Sequence, residues 1–141
     1  PISEVEGTRV DQVVIASCAN ARIEDLRLAA SILKGWSVHR GVRMLISPAS
    51  QSVFAKAIHE GLISTFIEAG ALVSQPTCGP CYGAQMGLLA SGEVCLSTTT
   101  RNMKGRMGSS EASIYLGNPA VAAVAAVAGC LTDPREFVEV Q

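Results

Sequence analysis

The chain has 141 residues, 48% of them hydrophobic and 16% charged, with a formal net charge of −1. That is one domain's worth of chain with enough apolar residues to bury a core, which excludes a disordered tail. Near-zero charge excludes a general pull toward nucleic acid or anionic membrane, so neither partner is expected and any cationic site has to be local.

In chain order, the N-terminal PISEVEG carries neither a basic start nor an apolar run, and no secretory signal is expected. VVIAS at 13–17 is short and β-branched, which predicts a buried strand. RIEDLRLAASILKG follows, with Ile23, Leu26, Ala30 and Leu33 at helical spacing and Gly35 as a stop. VRMLISPA at 42–49 predicts a second strand, and SQSVFAKAIHEG (50–61) and LISTFIEAG (62–70) predict two helices. ALVSQ (71–75) reads as a third strand and GEVCLSTTT (92–100) as a fourth, leading into the glycine-broken basic stretch RNMKGRMG. SIYLGNP (113–119) predicts a further extended piece before an alanine-rich helix from Pro119. The run AVAAVAAVAG at 120–129 falls well short of the roughly 20 apolar residues a membrane-spanning helix needs.

Strands alternating with helices predict an α/β fold, a three-layer αβα domain on a mainly parallel sheet. No repeat or linker interrupts it, so residues 1–141 are expected to form one domain. Right-handed crossovers then bring every strand's C-terminal end to one edge, where ligands of open α/β sheets bind. Cys18 follows the first strand and Cys78 the third, so distant cysteines are expected to meet there.

Five cysteines, an odd number, do not make a complete disulfide framework, and with no secretory signal reduced thiols in a cytoplasmic setting are expected. A Cys78–Cys81 disulfide would close too short a loop to restrain the unfolded chain much. A redox dithiol matches the spacing but not the position after a third strand. Zinc wants four ligands, and His39 and His59 lie outside metal-ligand spacing with the pair. An iron–sulfur cluster takes Cys18, Cys78 and Cys81 as three ligands and leaves one iron open. Cys95, inside a strand, and Cys130, at a helix end, read as buried structural thiols.

Arg101 and Arg106 stand close together after the fourth strand, and arginine forks bind carboxylates. Gly105 and Gly108 would let that backbone bend around a ligand, and the neighbouring serines and threonines offer donors to sulfide or substrate oxygens.

SCANARIEDLR, TCGPCYGAQMG and GEVCLSTTTRNMKGRMG, in that order, resemble the aconitase superfamily, and within it the large subunits of the 3-isopropylmalate dehydratase type. The resemblance runs from about Val13 to Pro134 and includes the NPAVAA helix opening. It implies that Cys18, Cys78 and Cys81 hold a [4Fe–4S] cluster whose open iron takes a hydroxy di- or tricarboxylate. It implies that Arg101, Arg106 and Asn20 bind that substrate. It also implies that the chain is the cluster-binding third of a large subunit, inactive alone, with the remaining domains and a small swivelling subunit as partners. Ala19, Thr100 and Met103 depart from the pattern, where threonine, asparagine and phenylalanine are usual. Substrates of the homoaconitate, 2,3-dimethylmalate and methylcitrate kinds are alternatives to 3-isopropylmalate. A non-catalytic RNA-binding or scaffolding relative is the alternative of another class, disfavoured by the charge and by 4% aromatic content.

Overall fold

The computed structural model describes residues 1–82 and 85–138. After a turn of 3-10 helix at Ile2–Glu4 come β1 (Gln12–Ile15), α1 (Ile23–Leu33), β2 (Arg43–Ile46), α2 (Gln51–His59) and α3 (Leu62–Ala69). Then follow β3 (Leu72–Val73), α4 (Gly79–Tyr82), β4 (Val94–Ser97), β5 (Ser113–Leu116), α5 (Pro119–Ala128) and α6 (Pro134–Val138). The strands form one sheet in the order β3-β2-β1-β4-β5, every pairing parallel. The expected α/β class with a parallel sheet is what the chain adopts.

Each inner strand is apolar on both faces because both are covered. Val13, Ile15, Met44, Ile46 and Leu96 point into the larger core with Leu26, Leu33, Phe66 and the alanines of α5. Val14, Ala16, Leu45 and Cys95 alternate with them and pack against Leu89, Met107 and Ala112 on the opposite face. The two covers differ in kind. Helices α1, α2, α3 and α5 form the first, whereas the second consists mainly of the connections into and out of β4, with α4 as a single helical turn.

Local chemistry sets the elements. Asp25 in the first turn of α1 accepts from the Arg22 N–H at 3.2 Å, and Arg27 forks onto Glu60 at the end of α2. Asn118 caps α5 by accepting from the Val121 N–H at 2.9 Å, ahead of Pro119 at its first position. Five successive buried alanine and valine residues, Ala122–Ala126, let α5 lie close on α1. Gly129 ends α5 at φ 81, and a Cβ there would come within 2.8 Å of the His39 ring.

All five strands are shorter than the runs the sequence suggests, and for β3 and β4 the cause is local. The Ala71 N–H is spent closing α3 on the Phe66 carbonyl, so β3 keeps two residues. Glu93 closes a turn on Ala90, so β4 starts at Val94. Among the described residues no helix is long and apolar enough to cross a membrane.

Candidate functional site

The strand order reverses between β1 and β4, and the carboxyl ends of those strands are where such a sheet opens for a ligand. The turn carrying Cys18 leaves β1 and the threonine run leaves β4, so both flank this switch point.

The Cys18 turn is tight. Ser17 holds φ 100, a left-handed value unusual for a residue with a side chain. Its carbonyl accepts from the Asn20 and Ala21 N–H groups, and its hydroxyl accepts from the Ala19 N–H at 3.2 Å. Cys18 is left exposed, opening on a cavity of about 360 Å³ lined by Arg22, Glu24, Ala49 and Ser50 among others. Asn20 is half-buried, and its side-chain amide donates to the Thr98 carbonyl at 2.5 Å, across the switch point.

The cysteine pair sits on the next loop along the same edge. Thr77 Oγ1 accepts from the Gly79 N–H at 3.1 Å, starting the turn that becomes α4. The Cys81 N–H donates to the Cys78 carbonyl at 3.1 Å. Ser47, at the end of β2, is buried; its hydroxyl accepts from the Thr77 N–H and donates to the Gln75 carbonyl at 3.2 Å. Sequence reasoning passed over Ser47, because a serine before a proline looks like any turn residue. Gly83, which borders the pair, lies outside the described residues.

Arg106 Nε donates to the Cys81 carbonyl at 3.2 Å, and its guanidinium lies 3.9 Å from the Cys81 sulfur. Thiol and cation therefore share one spot. Arg101 is exposed at the exit of β4. The loop between them folds back on the other connection. Leu89 N–H donates to the Met107 carbonyl at 2.7 Å, and the Ser109 N–H donates to the Leu89 carbonyl at 2.9 Å. A Cβ on Gly108 would lie 2.5 Å from the Leu89 oxygen, so only glycine fits. That glycine serves a close approach of backbones. Gly105, at φ 78, has no atom nearer its absent Cβ than 3.9 Å and serves the turn.

Two expectations need correction, the outward donors of the serine–threonine run and the burial of Cys130, whereas Cys95 is buried as expected. The hydroxyls of Ser97, Thr98 and Thr99 are buried and spent internally: Ser97 on Thr99 at 2.8 Å, and Thr98 on the Ala16 backbone. They brace the strand ends and offer no donors outward. Cys95 is fully buried, and burial pushes its thiol up to about 12 from 9.0, with Gln12 and Arg43 opposing more weakly. Cys130 is only half-buried, because it lies past the end of α5 in an isolated bridge to Arg9. Finally, although all five cysteines are free, no three His, Cys, Asp or Glu side chains among the described residues are grouped closely enough to hold a metal ion. The topology puts Cys18 and the pair on one edge of the sheet, and the described coordinates do not close them into a ligand set.

The sequence model described as "Aconitase family (aconitate hydratase)" matches residues 1–129. A 3-isopropylmalate dehydratase large subunit 2 from Archaeoglobus fulgidus is 56% identical over 137 residues, 97% of this chain and 33% of that protein. The 3-isopropylmalate dehydratase large subunit of Desulfitobacterium hafniense is 55% identical over 138 residues, covering 98% of this chain and 33% of its own length. A methanogen homoaconitase large subunit from Methanocaldococcus jannaschii is 54% identical over 133 residues, 94% of this chain and 32% of its own. The chain thus spans about a third of the length of the curated relatives it matches.

Proposed function

Because the chain belongs to the aconitase family, we propose that it is the iron–sulfur domain of a hydro-lyase of the 3-isopropylmalate dehydratase kind. Cys18, Cys78 and Cys81 would be the protein ligands of a [4Fe–4S] cluster. The observation that carries the reading is the meeting of Arg106 with Cys81: a carboxylate-binding fork bonded to the carbonyl of a free cysteine at the sheet's ligand edge.

The donor set fits such a cluster in kind. Three free thiols sit on two loops of one edge, exposed or half-buried, and the Arg106 guanidinium lies beside the Cys81 sulfur. The binding energy of a cluster would set the final spacing of the two loops. When bound, a cluster with three cysteine ligands supplies an open iron that acts as a Lewis acid on a substrate oxygen.

The chain's own residues do the rest of what this domain contributes. Arg106, bonded through Nε to the Cys81 carbonyl and with Nη2 3.9 Å from the Cys81 sulfur, still has guanidinium hydrogens for a carboxylate, and exposed Arg101 supplies a second cation at the exit of the same strand. A hydroxy acid with two or more carboxylates is the substrate class this pair can hold. Asn20 lies at the edge, although its amide is already engaged on the Thr98 carbonyl. Dehydration also needs a base for a proton on carbon and an acid for the departing hydroxyl. We assign these to segments outside this chain and to a small partner subunit, consistent with relatives named large subunits and about three times as long. Residues 1–141 are then a single cluster-binding domain, inactive by itself. Five free thiols and an oxidisable cofactor support a reducing, cytoplasmic setting.

The test is anaerobic reconstitution with ferrous iron and sulfide. The protein should turn brown and bind a [4Fe–4S] cluster; Cys18→Ser, Cys78→Ser and Cys81→Ser should each lose it, and Cys130→Ser should keep it. Absence of iron uptake, or full uptake by Cys18→Ser, overturns the assignment. Turnover of 3-isopropylmalate against homoaconitate, assayed with the small subunit present, then identifies the substrate.

A further inference from the structure

Among the described residues no hydrogen bond joins the two cysteine-bearing loops; each is tied to the segment that follows β4, which carries no cysteine. From the Cys18 side, Asn20 reaches across the switch point and donates to the Thr98 carbonyl at 2.5 Å. From the other side, Arg106 donates through Nε to the Cys81 carbonyl at 3.2 Å. Thr98 and Arg106 belong to one stretch of chain, and that stretch is itself immobilised. Thr98 Oγ1 accepts from the Ala16 N–H at 3.3 Å, Ser97 and Thr99 share a hydroxyl bond, and Gly108 is pinned under Leu89.

We propose that residues 98–106 are the common anchor of both cysteine loops, and that Asn20 and Arg106 are positioning residues that set how far Cys18 stands from the pair. The geometry assigns the Asn20 amide a structural use. Of the two hydrogens on the Asn20 amide nitrogen, one is committed to the Thr98 carbonyl at 2.5 Å, and that bond fixes where the side chain stands. The same bond holds the turn in which Ser17 is at φ 100, a conformation that persists only where its surroundings fix it. For Arg106, the Nε bond to the Cys81 carbonyl and the contact of Nη2 with the Cys81 sulfur at 3.9 Å fix the guanidinium against the pair.

The anchoring is independent of any bound group, while its consequence for loading rests on the proposed cluster. The experiment therefore separates the two. Amide hydrogen exchange of the full chain, free of iron, is compared for Asn20→Asp (isosteric, donor removed), Asn20→Ala, Arg106→Gln and Arg106→Lys. The reporters are the Asn20 and Ala21 amides, bonded to the Ser17 carbonyl, and the Cys81 amide, bonded to the Cys78 carbonyl. Losing one anchoring bond should speed local opening roughly five- to tenfold. Both Asn20 variants should show this at Asn20 and Ala21 while Cys81 is unchanged. Both Arg106 variants should show it at Cys81 while Ala21 is unchanged; lysine keeps the charge and lacks the Nε donor, so it should not rescue. Iron and sulfide uptake should slow in all four. Unchanged exchange at these amides, or acceleration spread equally into Ile15 and Leu96 in the core, overturns the anchor. Slowed exchange-independent loading in the unsubstituted protein bears on the cluster alone.

Discussion

Gly108→Ala tests whether the connection bearing Arg106 is held as closely as the structure shows. The residue has φ 129, and an added Cβ would fall 2.5 Å from the Leu89 oxygen and 2.7 Å from its nitrogen, both backbone atoms that no side-chain rotation can move aside. Holding alanine at such a φ costs about 1–3 kcal/mol. Relieving the overlap means separating the two connections, which gives up the Leu89 to Met107 and Ser109 to Leu89 bonds, each worth about 1 kcal/mol. The expected loss is about 3–5 kcal/mol, a large part of the stability of a chain this size. Gly105→Ala is the control from the same loop: φ is 78 there, but no atom lies nearer than 3.9 Å, so only the backbone term of about 1 kcal/mol applies. Urea unfolding of both variants, extrapolated with a shared slope, gives the difference. If Gly108→Ala falls within about 1 kcal/mol of Gly105→Ala, the close approach is wrong, and so is its role in fixing Arg106.

Cys95 is the thiol that should behave unlike the rest. Burial raises it from 9.0 to about 12, so the folded chain keeps a proton that the unfolded chain has lost. That contribution is complete below about pH 9 and disappears as pH rises toward about 12, and Cys95→Ala should flatten the alkaline fall in Tm over this window. Maleimide labelling of the native protein should take Cys18 and Cys78 first and leave Cys95 untouched until urea is added. Gln12→Leu should cost about 1–3 kcal/mol, because the buried amide donates to the Gly87 carbonyl at 2.9 Å and its oxygen accepts from Arg43 at 3.2 Å. A melt unchanged by that substitution would show that the connection after the cysteine pair is not held from the sheet.

What the sequence discloses here follows from how local each cause is. Helix α1 is legible because Ile23, Leu26, Ala30 and Leu33 repeat at 3.6 residues and bury on one face. The parallel sheet is legible because strands with apolar residues on both faces alternate with helices. The ends of β3 and β4 are not, since they depend on which amides α3 and the Ala90 turn consume. The second layer of the sheet is harder still. Residues such as Leu89, Met107 and Ala112 carry no periodicity, and their burial is set by a bridge between segments about twenty residues apart. The same holds in the site. Cys18, the cysteine pair and Arg106 stand out by residue type, whereas Thr98 and Ser97 look like available donors until the strands place them inside. Ser47 gives no signal at all, because its partners Gln75 and Thr77 are some thirty residues away.

The distribution of these bonds also says where the site can adjust. Within the Cys18 turn and within the cysteine-pair turn, backbone groups are bonded locally, so each turn is a small stiff unit. The Cys18 turn is linked to the rest of the edge by the Asn20 to Thr98 bond and by the Ala49 N–H donating to the Ala21 carbonyl, and the cysteine-pair turn by Arg106 and by Ser47. Moving one stiff unit against the other strains these few hydrogen bonds and leaves the sheet intact. A ligand that grips cysteines from both turns can therefore be met by small movements of the turns, while the Asn20 and Arg106 bonds keep them placed to receive it. Substitutions in the cores under the sheet should accordingly change stability without changing how the site loads, and substitutions at Asn20 or Arg106 should change loading while the melt hardly moves.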